Sequence, residues 1–274
     1  MPAESSLGPL SPEAAYPICP ESLPERRIRE GDYEVAFART AAELDAILRL
    51  RFEVFNLELG EGLEASYETG RDEDPFDPVC HHLLVRHLSG PREAVIGAYR
   101  LQTTEMAAAH RGFYSAGEFD LSHVPESTIA QSVEVGRACI ALSHRNTHVL
   151  FLLWKGLAVY MTHNHKRYLF GCSSLTSQEP GDGISMRRYL ERSGFVHPEI
   201  SAPPLPGFEC SIEGPEPEPA TKKDVPPLFR IYLRHGAKVA SPPAIDREFK
   251  TIDFLTLLDI EAMPPRMVRL FFGP

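Results

Sequence analysis

The run Val133-Glu134-Val135-Gly136-Arg137-Ala138-Cys139-Ile140-Ala141-Leu142 constrains the fold more than any other stretch of the chain. Its apolar residues read as a buried strand, yet a carboxylate and a guanidinium sit inside it, three positions apart. Charges within an apolar strand are costly unless they are paired or used. The rest of the chain must therefore supply either partners for Glu134 and Arg137 or a cleft that employs them, and the strand alone does not choose between the two.

The neighbouring segments supply a sheet and its helices. Residues 33–38 alternate in strand fashion, and residues 81–88 and 94–103 form two strands of a hairpin turning through Ser89-Gly90-Pro91. Residues 168–175 and 251–260 add further strands. Thr40 and Glu43 match a capping box that opens a helix through about residue 55. Residues 147–164 are apolar nearly all round, as in a helix packed centrally on a sheet. An amphipathic helix spans 184–192 and stops at Gly194, and a short helix over 226–236 has proline at its start and glycine at its end. This order implies a mixed α/β (α+β) sheet covered by helices. Residues 1–30, rich in Pro, Glu and Ser, read as a flexible leader, residues 31–200 as the core domain, and residues 201–274 as an extension packed on it. The segment 214–219 is linker-like.

Composition excludes several functions. A formal net charge of −10 opposes non-specific nucleic-acid binding, which needs a basic field. The five cysteines are scattered without a C-x-x-C pair, against a disulfide framework or a zinc site and in favour of a reducing compartment. The most apolar run, residues 149–161, is shorter than the roughly 20 residues a bilayer span requires. No signal peptide is recognisable. The chain is expected in the cytoplasm, with peripheral contact at the inner membrane left open.

Three further features bear charge. Arg51 falls on the apolar face of the first helix with Leu44, Ile47, Leu48 and Phe55, where it must either snorkel to solvent or meet a carboxylate. The proline-interrupted run Arg71-Asp72-Glu73-Asp74-Pro75-Phe76-Asp77-Pro78 is an acidic loop able to provide one. His81 and His82 are adjacent in a strand, so they point to opposite faces, and no metal is expected there.

Taken together, Arg51-Phe52-Glu53-Val54-Phe55, Asp72-x-Asp74-Pro75-Phe76-Asp77, Arg100-Leu101 and Glu134-x-x-Arg137 resemble the sequence marks of acyl-homoserine lactone synthases and their relatives. Within that group the chain is more similar to the ornithine lipid N-acyltransferases, also called hemolysin-like, through Glu134-Val135-Gly136-Arg137-Ala138-Cys139, Leu153-Trp154-Lys155-Gly156, Phe170-Gly171-Cys172-Ser173-Ser174 and the segment from Pro226 to Phe249. The lactone synthases carry a tryptophan shortly after the arginine motif, where this chain has Asn56, Leu57, Glu58 and Leu59. The resemblance implies a GCN5-related N-acetyltransferase (GNAT) fold and transfer of a 3-hydroxyacyl group from the 4'-phosphopantetheine thioester of acyl carrier protein to the α-amine of an amino acid, ornithine first among them. It implies no other cofactor. A lactone or free N-acyl amino acid synthase, and a non-catalytic binder of acyl chains or carrier protein, are the alternatives.

Amide formation from a thioester needs a deprotonated amine, a route for its proton and support for the tetrahedral oxyanion. Glu134 is the expected base, directly or through water. Gly136 permits a strand bulge close to the thioester. Arg51, Arg100 and Arg137 are available to the substrate carboxylate, and Asp74 and Asp77 either hold a substrate ammonium or brace those arginines. Phe55 and Ser173 complete the expected substrate contacts. Covalent catalysis through Cys139, Cys172, Ser173 or Ser174 is the competing mechanism. Lys155, Lys166, Arg167, Arg187 and Arg188 are candidates for a carrier-protein docking face, and residues 151–159 for an acyl channel.

Overall fold

The computed structural model describes residues 16–89 and 94–273. Its strands are β1 (Ile28–Glu30), β2 (Tyr33–Phe37), β3 (His81–His87), β4 (Ala94–Thr103), β5 (Ser132–Ile140), β6 (Tyr168–Leu175), β7 (Lys238–Val239), β8 (Ala244–Asp246) and β9 (Thr251–Asp259). Its helices are α1 (Ala41–Phe52), α2 (Ser66–Thr69), α3 (Thr104–Ala109), α4 (Glu126–Ala130), α5 (Thr147–His163), α6 (Pro180–Arg192), α7 (Pro227–Arg234) and α8 (Pro265–Phe272). One sheet runs β1-β2-β3-β4-β5-β6-β9-β7, with β8 also paired to β9. All pairs are antiparallel except β5 with β6, which are parallel for only Ser132–Glu134 against Tyr168–Phe170.

The helices form for legible reasons. The Thr40 side chain accepts from the Glu43 N–H while Glu43 returns the bond, completing the expected capping box of α1. The Asn146 side chain caps α5 by accepting from His148 and Val149 N–H. Gly156 lets α5 settle on the sheet, because a β-carbon there would meet Leu83 Cδ1 at 2.5 Å. α5, α6 and α7 cover one face of the sheet. The other carries α1 over β3–β5 and the irregular chain around Phe113 and Phe119 over β6 and β9.

Several expectations change. Residues 16–30 are not a free leader: Tyr16 bonds His82, Leu23 is buried, and Ile28–Glu30 pair with β2 as an edge strand. Residues 1–15 of that leader, and Gly90 and Pro91 of the hairpin turn, lie outside the described residues. The C-terminal extension does not merely pack on a finished core. It contributes β9, buried along almost its whole length, as the partner of β6, because the antiparallel edge of β6 needs a strand. α6 begins at Pro180, four residues earlier than its apolar pattern suggests, with proline in the first turn where no N–H is required. No helix among the described residues is long and apolar enough to cross a membrane.

Candidate active site

β5 is bulged at the expected place but not on the expected residue. Ala98 pairs with Cys139 and Arg100 with Gly136, so two steps along β4 face three along β5. The left-handed residue is Arg137, with φ 49°, a conformation costing a non-glycine residue about 1–2 kcal/mol. Its side chain supplies the compensation. Arg137 Nη2 donates to Asp74 Oδ2 at 3.0 Å, and the guanidinium lies 4.1 Å from the Phe249 ring centre and 4.9 Å from that of Tyr114.

Arg137 belongs to a closed cluster of three arginines and three aspartates. Arg51 Nε and Nη1 donate to Asp72 Oδ2 and Asp77 Oδ1 at 2.7 and 2.6 Å. Arg100 Nη1 donates to Asp74 at 2.6 Å and to Asp77 at 3.2 Å. His82 Nε2 stands 3.2 Å from Asp77 Oδ1, and Tyr16 closes the far side of that ring. Burial opposes ionisation, yet Arg51 and Arg100 hold the Asp77 carboxyl well below the usual carboxylate range, and Arg100 and Arg137 lower that of Asp74. The choice left open for Arg51 is thereby decided: it is wholly buried and meets carboxylates instead of snorkelling. Arg51, Asp74 and Asp77 do not reach the cavity described next. They brace it from behind, with Arg51 paired to Asp72 and Asp77, and Asp74 and Asp77 both paired to Arg100.

The cavity, of about 300 Å³, opens where β5 and β6 part. Just before the strands part, Gly171 lets β6 run so close to β5 that a β-carbon here would lie 2.1 Å from the Val135 carbonyl oxygen. Of the expected residues, Phe55, Arg100, Glu134, Gly136, Arg137 and Ser173 line it. Phe55 is presented by a π-helical turn, Glu53–Glu58, that extends α1. One wall is apolar and comes from α7 and its proline entry, with Leu228, Phe229 and Tyr232. Residues 151–159, expected to line a channel, instead pack α5 on the sheet and against Phe271. The opposite wall is polar and holds Gln102, Tyr114, Ser115 and Glu134.

Glu134 is buried and fully engaged. Its Oε1 accepts from Ser115 N–H and Oγ, each at 2.7 Å, and its Oε2 from Tyr114 N–H at 2.8 Å. Burial raises its pKa against the downward pull of those bonds. Several lining residues lie outside the sequence motifs. Tyr114 and Ser115 come from a stretch with no periodic signal, whereas Asp253, in the wall beside Ser174, is a carboxylate within the apolar strand β9 and carries the same signal that singled out Glu134.

The thiols are poor nucleophiles. Burial pushes Cys139 up to about 12 and Cys172 well above its ordinary value. Ser173 bonds Thr256 Oγ1 at 3.1 Å rather than a base. The five basic residues expected for docking all have local partners. Lys155 pairs with Glu30, Lys166 with Glu105, and Arg167 with Asp259 and Glu261. Arg187 binds Glu191 and the Ser241 carbonyl, and Arg188 binds the Pro217 carbonyl. Each charge is met locally.

The family model described as an acetyltransferase (GNAT) domain matches residues 50–155, and the protein is an N-acyltransferase of the GNAT fold. Over 254 residues the chain is 32% identical to the L-ornithine N(alpha)-acyltransferase of Agrobacterium fabrum, covering 89% of this chain and 87% of that protein. It is 31% identical to the enzyme of the same name from Brucella abortus, with 89% and 90% covered. The chain belongs to this acyltransferase family. Among solved structures, the acyl-homoserine lactone synthase LasI aligns at 11% identity with a TM-score of 0.47, over 89% of this chain and 96% of that one.

Proposed function

We propose that the protein transfers a 3-hydroxyacyl group from the phosphopantetheine thioester of acyl carrier protein to the α-amine of ornithine, producing a lyso-ornithine lipid in the cytoplasm. The observation that carries this reading is the cavity itself, which joins an apolar wall on α7 to a polar wall at Glu134 across the bulge of β5. The names of the relatives support ornithine as acceptor. The acyl chain would lie along Leu228, Phe229 and Tyr232, and the thioester carbonyl would sit at Gly136. There the bulge leaves a residue out of the ladder, and a backbone N–H released in this way serves the oxyanion. Glu134 takes the amine proton, directly or through water, and its raised pKa brings it closer to the working pH of a base. Arg100 and Arg137 present the only guanidinium edges on the cavity wall among the described residues, and they orient the acceptor carboxylate.

Lipid mass spectrometry of a heterologous host expressing the chain tests the assignment. A new species with the mass of ornithine amide-linked to a hydroxyacyl chain is the expected result. A homoserine lactone, another amino acid as head group, or no acylated product overturns it. With purified protein, Glu134→Gln is expected to lower kcat by about 10²–10⁴-fold while leaving carrier-protein binding intact.

A further inference from the structure

Four carboxylates gather where the cavity meets β9. Asp253 is in the wall, and the reactive atoms of Asp253, Glu118 and Cys172 lie within 4.8 Å of one another. Glu61 is in the same wall, and Asp246 accepts from the Tyr114 hydroxyl at 3.3 Å. No Lys, Arg or His among the described residues comes within 4.0 Å of any of the four. The nearest guanidinium in the cavity, that of Arg137, is committed to Asp74.

Orphaned groups in the cavity wall mark it as a place for a ligand, with Glu118 Oε1 of the carboxylate cluster also unpartnered among the described residues. Asp253 is 3% exposed, and its Oδ1 has no hydrogen-bond partner among the described residues. Gln102, 1% exposed, lies across the cavity on β4, and both its amide oxygen and its amide nitrogen are unpartnered. More than nine in ten buried polar groups find partners. A buried carboxylate oxygen calls for a donor, which Glu118 and Asp253 can supply to each other only by sharing a proton, whereas a cation between them satisfies both while they stay ionised. Acceptors up to 4.8 Å apart can both lie about 2.8 Å from a single ammonium nitrogen.

We propose that Asp253, backed by Glu118, binds the side-chain ammonium of a dibasic amino-acid acceptor, with the Gln102 amide meeting a polar group of the same ligand. This rests on the cavity being the acceptor site of an N-acyltransferase. It also accounts for regiochemistry. An ammonium held among carboxylates keeps its proton and has no lone pair with which to attack, so acylation falls on the α-amine at the β5 bulge.

The test compares ornithine with norvaline, which has the same carbon chain without the side-chain amine, using the purified full chain and an acyl thioester donor. Wild type is expected to favour ornithine by at least about tenfold in kcat/KM, the scale of one unpaired buried polar group. Asp253→Asn should raise the ornithine KM by at least about tenfold and leave norvaline turnover within about twofold. Glu118→Gln should act in the same direction. Equal use of both acceptors by wild type, or an equal loss of both in the variants, overturns the assignment while leaving the acyltransferase reading in place. No product from any amino acid overturns that reading and this proposal with it. Loss of wild-type activity on EDTA treatment, restored by a divalent cation, also overturns it and gives the carboxylates to a metal.

Discussion

Two buried ionic groups flank the bulge of β5, and they are built on opposite principles. Behind the cavity, Arg51, Arg100 and Arg137 are matched by Asp72, Asp74 and Asp77, and each guanidinium donates to a carboxylate. At its other end, Glu61, Glu118, Asp246 and Asp253 have no matching cation within ion-pair distance among the described residues. The first group is electrically complete, so it can hold Arg137 in a left-handed conformation without a ligand. The second is incomplete, and in a buried setting incompleteness is costly unless something binds. In the balanced cluster Arg51 and the aspartates hold Arg100 and Arg137 at the cavity wall, whereas the unbalanced cluster leaves room for a cation.

The strongest way to break this contrast is Arg51→Met. Removing one partner of a buried ion pair costs about 3–5 kcal/mol, so urea unfolding should show the variant severely destabilised. Unchanged stability with a raised acceptor KM would make Arg51 a substrate contact, like Arg100 and Arg137, rather than a brace behind them.

The opposite sign is expected at the other cluster. Burial, then Asp246, pushes Asp253 up to about 6, above the roughly 3.9 of an unfolded aspartate. A raised pKa contributes stability that is present below pH 4 and lost as pH rises through 6. Asp253→Asn should therefore be more stable than wild type at pH 8, by up to ~3 kcal/mol, with the difference vanishing near pH 4. Denaturation midpoints of the two proteins from pH 4 to 8 give the answer, and a difference independent of pH would mean that Asp253 is already neutralised.

The balanced cluster should show its own limb. Asp77 is held well below the usual carboxylate range by Arg51 and Arg100 against burial, so its contribution is present above pH 4 and lost as pH falls through the lowered pKa. His81 adds to this acid limb. Burial lowers its pKa to about 4, and the stability of its neutral form is lost as pH falls from 6.5 towards 4. A His81→Phe variant should flatten the slope in that window by an amount on the order of 3 kcal/mol, read from urea midpoints.

The smallest expected effect tests the parting between the two groups. Gly171→Ala places a β-carbon 2.1 Å from the Val135 carbonyl and should cost about 1–3 kcal/mol through overpacking, with kcat falling more than stability because the cleft itself is wedged. An unchanged kcat would show that the cleft does not depend on this close approach.

The candidate site was legible where its chemistry broke a local rule. Glu134 and Arg137 interrupt an apolar strand, Arg51 sits on an apolar helix face, and the acidic loop stands ready with carboxylates. Asp253 breaks the same rule in β9, yet it passed unremarked because that strand was assigned to an appended segment. Glu118 and Ser115 break no rule, since nothing in a non-periodic stretch announces a side chain aimed into a cavity.

Sequence alone determined the elements and their caps, the mixed α/β character, the need to satisfy charge inside β5, and through its motifs the family. Tertiary structure decided which charges meet. Asp74 faces Arg100 and Arg137 because the acidic loop folds over β4 and β5, and Asp253 meets Glu118 because β9 inserts beside β6. Whether a buried charge is a brace or a binding group depends on the partner that long-range topology brings to it. Local pattern records only that a partner is required.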